Sequence, residues 1–516
     1  MRKHLWPIIF IVIISLFSLR SIFHPGFMYS HDSLWHVERI QNMFSLIPSQ
    51  FPVRWSPSLD NGYGVPLFNF TYPAPYYLGS LFMLFGLGPV KSYDLLLLLF
   101  YTLGGVGVYL LGSKKPVVGM TAAILYLFTP YQYLDIFVRG ALGEVAALGF
   151  IPWVILAYEQ ISKTGRLKWY SSIPFAILLL SHNFYGYLFA ALLLFLIIFL
   201  YDHKKQLFYS LVLSLGLAAF FLIPAFVEKN LLLYSQTTHI SYRDHFVYPL
   251  QLLYGKWSYL GSQLGNFNKE MSYQLGVGSI FVLLLAIFTL FIRATKKLLL
   301  LIIPTVTAIF LMLPFSDFLW KLIPLLPSIQ YPWRFLGVVA ILVPLIFIEL
   351  SNQKNSVIIY AVLIALAIFG SRNYARPAYW MDSGQFLKYH YEYVGKTTTA
   401  GRDEIVPYWA PSERHNAGDT PSLSFTHTSG SPTTMVIQRN YFPTWAATMD
   451  GQKIVISPTQ TGEILLPIAT GTHTYRLFQK STKIQLLGNI ISILSLFGIF
   501  AIYVQGNKPN SKNHNP

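Results

Sequence analysis

Acidic and basic side chains are concentrated in a short segment near the start of the chain, His31-Asp32-Ser33-Leu34-Trp35-His36-Val37-Glu38-Arg39. If a helix begins at Ser33, Asp32 and His36 lie four residues apart on one face, and Arg39 lies one turn further along. The Asp32 carboxylate could accept a proton as a general base, and the His36 imidazole could orient it. The alternative is that Asp32 caps the helix by accepting a backbone N–H bond, and the local pattern alone favours this cap.

A second group of titratable residues lies in Asp135-Ile136-Phe137-Val138-Arg139-Gly140-Ala141-Leu142-Gly143-Glu144. Asp135 and Arg139 have the spacing of an ordinary i,i+4 ion pair, which is worth about 0.3 kcal/mol. Glu144 falls inside an apolar run, where an ionisable group is costly and normally has a partner or faces a water-filled cavity. His182 lies in a predicted turn, and solvent exposure is the simpler interpretation of a histidine there.

Arg54 and Arg334 are candidate phosphate ligands, because a planar guanidinium donates paired hydrogen bonds. The alternative for both is anchoring at a membrane interface beside Trp and Tyr, which is common at helix ends. The chain contains no GxGxxG, P-loop, HExxH or GxSxG motif, so no such motif supports a soluble nucleotide-binding or hydrolase function. It has no cysteine, which excludes disulfides, thiolate nucleophiles and cysteine-based metal sites.

The composition predicts that these residues are positioned by membrane helices. Of the 516 residues, 54% are hydrophobic and only 11% are charged, whereas a soluble domain has roughly 25% charged residues. Uncharged runs long enough to cross about 30 Å of hydrocarbon recur along the chain, so we expect an integral membrane protein. The net charge of +16 is divided among short clusters between apolar runs. This is the positive-inside pattern and not a nucleic-acid-binding face.

The basic loops place both termini on the cytoplasmic side and predict about twelve spans. These spans lie near 5–23, 94–112, 116–130, 142–159, 170–182, 184–201, 207–224, 274–292, 298–314, 335–350, 356–371 and 487–504. The first run lacks the small-x-small cleavage site of a secretory signal, so we expect it to remain as an anchor. The segment 75–88 does not fit this threading as a span and is predicted to be a short juxtamembrane or re-entrant element. This threading places loops 24–73, 130–141 and 228–272 on the outer side of the membrane.

Residues 372–486 differ from the rest, because Gly, Ser, Thr and Pro interrupt runs that alternate between apolar and polar residues. Asp450-Gly451 predicts a two-residue hairpin, since both central positions of such a turn favour positive φ. We therefore expect a transmembrane domain over 1–371, a small exported β-sandwich-like domain over 372–486, a last span over 487–504 and a cytoplasmic tail over 505–516.

Further short motifs follow one another in a definite order. They are Asn61-Gly62-Tyr63-Gly64-Val65-Pro66-Leu67-Phe68, Tyr72-Pro73-Ala74-Pro75, Leu180-Ser181-His182-Asn183, His245-Phe246-Val247, Gln274-Leu275-Gly276, Pro332-Trp333-Arg334-Phe335 and Tyr441-Phe442-Pro443-Thr444-Trp445. With the two titratable segments, this order resembles bacterial multi-spanning membrane proteins that carry the 6-pyruvoyl-tetrahydropterin synthase-related domain, close to the lipoteichoic-acid glycosylating membrane proteins. Both groups look like glycosyltransferases of the GT-C fold. Thr444 departs from the pattern, since related chains often carry Gly before the Trp.

The resemblance implies an enzyme that moves a sugar from a polyprenyl-phosphate carrier to a cell-envelope polymer, glycolipid or protein on the outer face of the cytoplasmic membrane. It favours Asp32 as the general base, with a supporting acidic role for Asp135 or Glu144, and an inverting displacement. The donor-phosphate ligands would be Arg139, Arg334 and Arg54, and the supporting residues would be His31, His36, Arg39 and His182. The resemblance specifies no cofactor, and it is compatible with the use of a divalent metal. The pterin-synthase activity is not implied, because the histidine set that binds its metal cannot be assembled from this sequence.

Two other classes of function remain as alternatives. A many-helix chain with an ionisable residue inside an apolar run could transport a lipid or an ion, although the paired halves common in transporters are not evident in the sequence. A non-catalytic envelope scaffold is the third class.

Overall fold

The computed structural model describes residues 2–235, 241–262, 270–353, 356–386, 406–410, 417 and 423–506. The helices are α1 (Arg2–Ser18), α2 (Ser33–Leu46), α3 (Leu67–Phe70), α4 (Ala74–Leu84), α5 (Pro89–Gly112), α6 (Pro116–Leu127), α7 (Pro130–Tyr133), α8 (Leu142–Thr164), α9 (Ile173–Leu179), α10 (Asn183–Phe199), α11 (Lys204–Leu217), α12 (Ala219–Val227), α13 (Pro249–Leu253), α14 (Val277–Arg293), α15 (Lys296–Met312), α16 (Asp317–Leu322), α17 (Leu336–Gln353), α18 (Val357–Ser371) and α19 (Lys483–Gly506). The predicted tail lies outside the described residues from 507 onwards.

Apolar helices lie at the predicted spans, with two exceptions. The span predicted at 207–224 is broken at Ala218, where Lys204–Leu217 and Ala219–Leu231 are bent by 70°. Within the described residues, four helices are long enough to cross a membrane individually, namely Pro89–Gly112, Leu142–Thr164, Pro332–Ser351 and Lys483–Gln505. Three bent pairs raise the number to seven if each pair is one span, and shorter apolar helices occupy Lys3–Ser18, Asn183–Phe199, Val277–Arg293 and Val357–Ser371. The prediction of a continuous span at 170–182 is wrong, because α9 has only 7 residues. The total number of spans and their orientation stay predictions.

The short element predicted at 75–88 is the helix α4. It has 11 residues, which reach about 16 Å at 1.5 Å per residue, too short to cross the hydrocarbon. Its carboxyl end is apolar and exposed, with Leu84 at 70% and Phe85 at 78% exposure. The helix therefore ends on an apolar tip, while its first turn reaches the candidate site described below.

Helices α5 and α8 pack closely against one another and hold the amino end of α8 in place. A Cβ atom built on Gly149 would lie 2.7 Å from the carbonyl oxygen of Phe100, so only glycine permits this approach. The indole Nε1 of Trp153 in α8 donates a hydrogen bond of 2.9 Å to the carbonyl of Leu103 in α5. These contacts fix the helix that carries Glu144 in its first turn.

The strands are β1 (Phe27–Met28), β2 (Trp380–Met381), β3 (Ser424–Ser429), β4 (Thr433–Asn440), β5 (Trp445–Met449), β6 (Gln452–Ile454), β7 (Ser457–Pro458), β8 (Glu463–Ile468) and β9 (Gly471–Gln479). Two antiparallel sheets, ordered β3-β9-β5-β6 and β4-β8-β7, share one hydrophobic core. The hairpin prediction is confirmed, because Met449 pairs with Gln452 across a turn in which Asp450 and Gly451 have φ of 49° and 82°.

The hydrophobic core of the β-rich region includes a residue from outside that region. This residue is Trp55 of segment 24–73, and the Trp55 ring lies 5.7 Å from that of Trp445. Asn440 in β4 donates hydrogen bonds of 2.7 Å to Asp60 and 2.8 Å to the carbonyl of Gly64. The sandwich is thus docked onto the loop that follows α2.

A pH-sensitive pair lies beside the β5–β6 turn. His473 Nδ1 is 2.6 Å from Asp450 Oδ2, and Nε2 is 3.0 Å from the carbonyl oxygen of Thr470. Both partners are acceptors, so both ring nitrogens must carry a hydrogen, as in the imidazolium form. The bond to Asp450 raises the pKa of His473 above 6.5, and the bond from His473 lowers the pKa of Asp450 below 3.8.

The stabilisation from this pair is expected to be complete between the ordinary pKa values of the two groups. It is lost as pH rises through the folded-state pKa of His473 and as pH falls through that of Asp450. NMR titration of the ¹³Cε1 signal of His473 should give a midpoint above 6.5, and Asp450→Asn should lower that midpoint. An unchanged midpoint in Asp450→Asn would show that the pair does not form.

Candidate active site

The centre of the site is a π-helical turn, Leu134–Arg139, between α7 and α8. The turn ends at Gly140, which has a left-handed φ of 66°. A Cβ atom at Gly140 would lie 2.0 Å from the Ser30 hydroxyl and 2.8 Å from that of Tyr93. Only glycine allows this conformation and this approach, so the segment before α2 can pack directly on the turn.

Asp32 is attached to this turn through its backbone. The N–H of His31 donates to the carbonyl of Val138 at 3.0 Å, and the N–H of Asp32 donates to that of Arg139 at 2.8 Å. Asp32 occupies the N-cap position of α2, but its side chain makes no capping hydrogen bond. Its carboxylate is half-buried, and within the described part of the chain it has no hydrogen-bond or ion-pair partner. The capping interpretation is therefore wrong, and the carboxylate is available for other contacts.

Four charged side chains form a buried cluster beside Asp32. Arg139 Nη1 lies 2.8 Å from Asp135 Oδ1 and 2.7 Å from Glu144 Oε1. Arg334 Nε donates to the same Glu144 oxygen at 3.1 Å, and the Arg139 guanidinium lies 4.6 Å from the centre of the Trp333 ring. Asp135 and Glu144 are essentially fully buried. The predicted Asp135–Arg139 pair exists, but it belongs to a network of two carboxylates and two guanidinium groups whose formal charges cancel.

Two tyrosines complete the environment of Glu144. The Tyr131 hydroxyl donates to Glu144 Oε2 at 2.8 Å and lies 3.0 Å from the Tyr185 hydroxyl. The Tyr185 hydroxyl also donates to the carbonyl of Arg334 at 2.9 Å. Both Glu144 oxygens are therefore engaged, and the backbone and side chain of Arg334 are held by the same group of residues.

His182 is part of this cluster, so its assignment to a solvated turn is wrong. It is 7% exposed, and its Nδ1 accepts the backbone N–H of Tyr185 at 3.4 Å, as the N-cap of α10. In the neutral ring the hydrogen is then on Nε2, which lies 3.7 Å from Glu144. The imidazole therefore lies against Glu144 without a direct hydrogen bond to it.

His36 and Arg39 share one face of α2, as their spacing predicts, and both contact Tyr76 in α4. His36 Nδ1 lies 2.9 Å from the Tyr76 hydroxyl, and Arg39 Nη1 donates to it at 3.3 Å. Burial, followed by the charge of Arg39, holds the pKa of His36 well below 6.5. The expectation that His36 orients the Asp32 carboxylate is wrong, because its side chain orients Tyr76.

Tyr72 and Tyr76 were not identified as site residues from the sequence. The Tyr72 ring stacks on that of Tyr76 at 5.9 Å and lies 5.4 Å from His182. It also fills the space beside Gly143, where a Cβ atom would be 2.3 Å from the ring. The signal was the four-residue spacing of the two tyrosines across the start of α4.

His31 does not belong to the cluster. It is exposed, and its Nε2 is 2.9 Å from the carbonyl oxygen of Tyr259. This contact joins segment 24–73 to segment 228–272. The described residues bring together no group of three or more side chains of His, Cys, Asp or Glu that could hold a metal ion.

Arg54 belongs to a different network. Its Nη1 donates to Asn69 at 2.9 Å, and its Nη2 donates to the carbonyl of Phe220 at 2.7 Å and to Asn489 of α19 at 3.0 Å. Asn69 donates in turn to the buried Glu228 at 2.8 Å. The contacts of the guanidinium with the protein argue against the predicted role of Arg54 as a phosphate ligand.

Arg54→Ala is expected to lower the free energy of unfolding by about 2 kcal/mol, because it removes hydrogen bonds from a charged donor to buried acceptors. Titration with SDS, followed by circular dichroism, measures this loss. Arg20→Ala is the control, since Arg20 is exposed and, among the residues that the structure describes, its side chain donates only to the nearby carbonyl of Phe17. Unchanged stability in Arg54→Ala together with a raised KM for a phosphate-linked donor would restore the ligand role.

The fold and the site define a helical membrane protein with a buried cluster of acids and arginines beside Asp32, a carboxylate that has no partner in the part of the chain that the structure describes. The family model described as "6-pyruvoyl-tetrahydropterin synthase related domain; membrane protein" matches residues 68–378, more than half of the chain. The chain belongs to this family, as the order of its motifs predicted. No curated protein matches it by sequence.

Several solved structures are similar to the chain. The apo oligosaccharyltransferase of Archaeoglobus fulgidus has 15% identity and a TM-score of 0.44, over 80% of this chain and 62% of that one. AglB from the same archaeon, with an inhibitory peptide and a dolichol-phosphate, has 15% identity and a TM-score of 0.46, over 80% and 61%. Arabinofuranosyltransferase AftD from mycobacteria has 13% identity and a TM-score of 0.43, over 73% and 27%. The chain thus spans less than two thirds of each, and likenesses of this size assign neither a donor nor an acceptor.

Proposed function

We propose that the chain is a GT-C-type membrane glycosyltransferase. It would move a sugar from a polyprenyl-phosphate carrier to a cell-envelope acceptor on the outer face of the cytoplasmic membrane, with both termini inside. The observation that supports this most is the placement of Asp32. Its half-buried carboxylate has no partner among the described residues, and its backbone is bonded to Arg139. A base beside oriented cations suits displacement at a carbon that carries a phosphate.

The two arginines retain unused donors. Arg334 uses Nε on Glu144 and Nη1 on the carbonyl of Ile329. Arg139 uses Nη1 on both carboxylates. Nη2 of Arg334, and Nε and Nη2 of Arg139, have no hydrogen-bond partner within the described ranges. These N–H groups can bind phosphate oxygens in the directed manner that guanidinium groups favour.

In the proposed reaction, the acceptor hydroxyl attacks the anomeric carbon and gives its proton to Asp32. The bond from that carbon to the phosphate oxygen breaks, and its electron pair leaves with the carrier phosphate. Arg139 and Arg334 stabilise the charge that develops on this leaving group. A single displacement inverts the anomeric configuration. Glu144 and Asp135 act as positioning residues, because each is bound to an arginine.

The test is transfer by the purified full chain in liposomes, with a panel of polyprenyl-phosphate sugars and cell-envelope acceptors. We expect one donor to yield a glycosylated acceptor of inverted configuration and an equal amount of free polyprenyl phosphate. Movement of an intact lipid-linked sugar across the bilayer, without bond cleavage by any pair in the panel, would contradict the proposal and favour a transporter.

A further inference from the structure

The chain makes a sharp turn at the outer end of α15. The axes of Lys296–Met312 and Pro314–Leu322 differ by 97°. Helix α15 is apolar and 17 residues long, and Pro314 directly after it cannot continue the helical hydrogen bonding. Since α15 crosses the membrane in the proposed threading, the segment after it runs along the membrane surface.

This surface segment has one apolar face that the protein does not cover. Phe318 and Leu322 of α16 lie four residues apart, on the same side of the helix, and are 58% and 73% exposed. Trp320 is fully buried and stacks on Tyr242 at 4.8 Å. The apolar face continues on both sides of α16, with Phe315 at 69% and Leu325 at 77% exposure.

The polar side chains of α16 pair with one another and with the neighbouring loop. Asp317 lies 2.7 Å from Lys321 and 2.9 Å from Arg243. Both cations are more than half exposed at their side chains. Helix α16 is therefore amphipathic, with a charged side and an apolar side.

Helix α13 repeats this arrangement close by. The N–H of Val247 donates to the carbonyl of Met312 at 2.8 Å, so α13 starts at the level where α15 ends. Leu250 and Leu253 lie three residues apart and are 61% and 57% exposed, while Gln251 between them is buried.

We propose that α13 and α16 form an outer ledge, defined by 249–254 and 314–325, that lies flat in the outer interface of the bilayer. Its exposed apolar side chains would contact lipid acyl chains, and Arg243 and Lys321 would lie at the level of the headgroups. Lipid is the occupant that fits, because the ledge begins at the end of a spanning helix and has the two-sided chemistry of an interfacial helix. This assignment does not depend on the enzyme's activity.

The ledge also leads directly into the candidate site. The chain passes from α16 to Ile329, whose carbonyl accepts a hydrogen bond of 2.8 Å from Arg334 Nη1. Contact between the ledge and the lipid would thus help to position Arg334. This second step rests on the proposed function, whereas the insertion itself does not.

The absence of cysteine from the sequence makes the test direct. Leu322→Cys would be labelled with the fluorophore NBD in the full chain and placed in liposomes with or without brominated acyl chains. The neighbouring Lys321→Cys is the matched control, since its side chain belongs to the charged side. We expect blue-shifted emission at 322 and loss of about half of it or more on brominated lipid, as for a side chain some 5–10 Å deep. Position 321, at the level of the headgroups, should show a smaller blue shift and little quenching.

Equal responses at 321 and 322 would overturn the proposal. Blue-shifted emission at 322 that brominated lipid does not quench would also overturn it, because a protein, such as a second copy of the chain, would then cover the face. Phe318→Cys provides an independent site if Leu322→Cys does not elute as the wild type in size exclusion. For the second step, Leu322→Asp should raise the donor KM and Lys321→Gln should not. If Leu322→Asp leaves the donor KM unchanged while the fluorophore at position 322 is quenched by brominated lipid, only the proposed link to Arg334 is contradicted.

Discussion

Asp32→Asn is expected to reduce the turnover number at least about a hundredfold, with normal membrane yield and folding, because general-base catalysis commonly contributes two to four orders of magnitude. The amide introduced by the substitution cannot take up the proton of the attacking hydroxyl group. It keeps the size of the side chain and its potential to accept a capping hydrogen bond. Since the Asp32 side chain makes no capping bond, the substitution should have little effect on stability. Single-turnover transfer in liposomes, with melting followed in parallel, separates the two effects.

Asp382→Asn is the matched control for this experiment. Asp382 is exposed, and its Oδ1 accepts the backbone N–H of Gln385 at 2.8 Å, so it is an aspartate that does act as a cap. Its replacement should leave transfer unchanged. Transfer at nearly wild-type rates by Asp32→Asn would end the case for Asp32 as the base and move the assignment to Glu144 or Asp135.

Glu144→Gln is expected to lower the free energy of unfolding by about 3 kcal/mol or more, because it removes a charge that compensates two guanidinium groups in a buried site. Arg139 would then keep only Asp135, and Arg334 would lose the carboxylate that it contacts among the described residues. The amide nitrogen would also face donors that include the Tyr131 hydroxyl. We expect transfer to be lost in the fraction that folds, through a higher donor KM as well as lower turnover. An SDS titration and donor saturation curves measure the two quantities.

Glu159→Gln, in the same helix, is the control. Glu159 pairs with Lys163, whose side chain is 60% exposed, and such surface pairs contribute about 1 kcal/mol or less. Equal losses in the two variants would show that the Glu144 cluster is no more important than a surface ion pair.

The sequence predicted those features that depend on neighbours along the chain. The Asp135–Arg139 spacing, the shared face of His36 and Arg39 and the Asp450-Gly451 turn are all local. The pairing of Glu144 with Arg334 was not predictable, because Arg334 lies 190 residues away and reaches Glu144 only through the packing of several helices. Helical periodicity placed His36 on the correct face, but it could not reveal that Tyr76 approaches that face from α4.

Predictions were wrong where the surroundings of a residue were inferred from its neighbours along the chain. His182 does lie in a turn, as expected, but the turn is covered by Tyr72, Tyr185 and the acidic end of α8. Arg54 looked like a free guanidinium because its partner Asn489 is 435 residues away. His182 and Arg54 both need polar partners, as their residue types indicate, and other parts of the protein supply these partners.

The network around Arg54 has a consequence for the order in which the protein is made. Arg54 leaves the ribosome 435 residues before Asn489, which at 5–20 residues per second is a delay of about 20 to 90 s. During that time segment 24–73, which contains both Asp32 and Arg54, lacks the hydrogen bond that α19 supplies. The loop that carries Asp32 therefore reaches its final support only when the last helix arrives. A chain that stops early would have the charged residues of the site but not the frame that holds their loop.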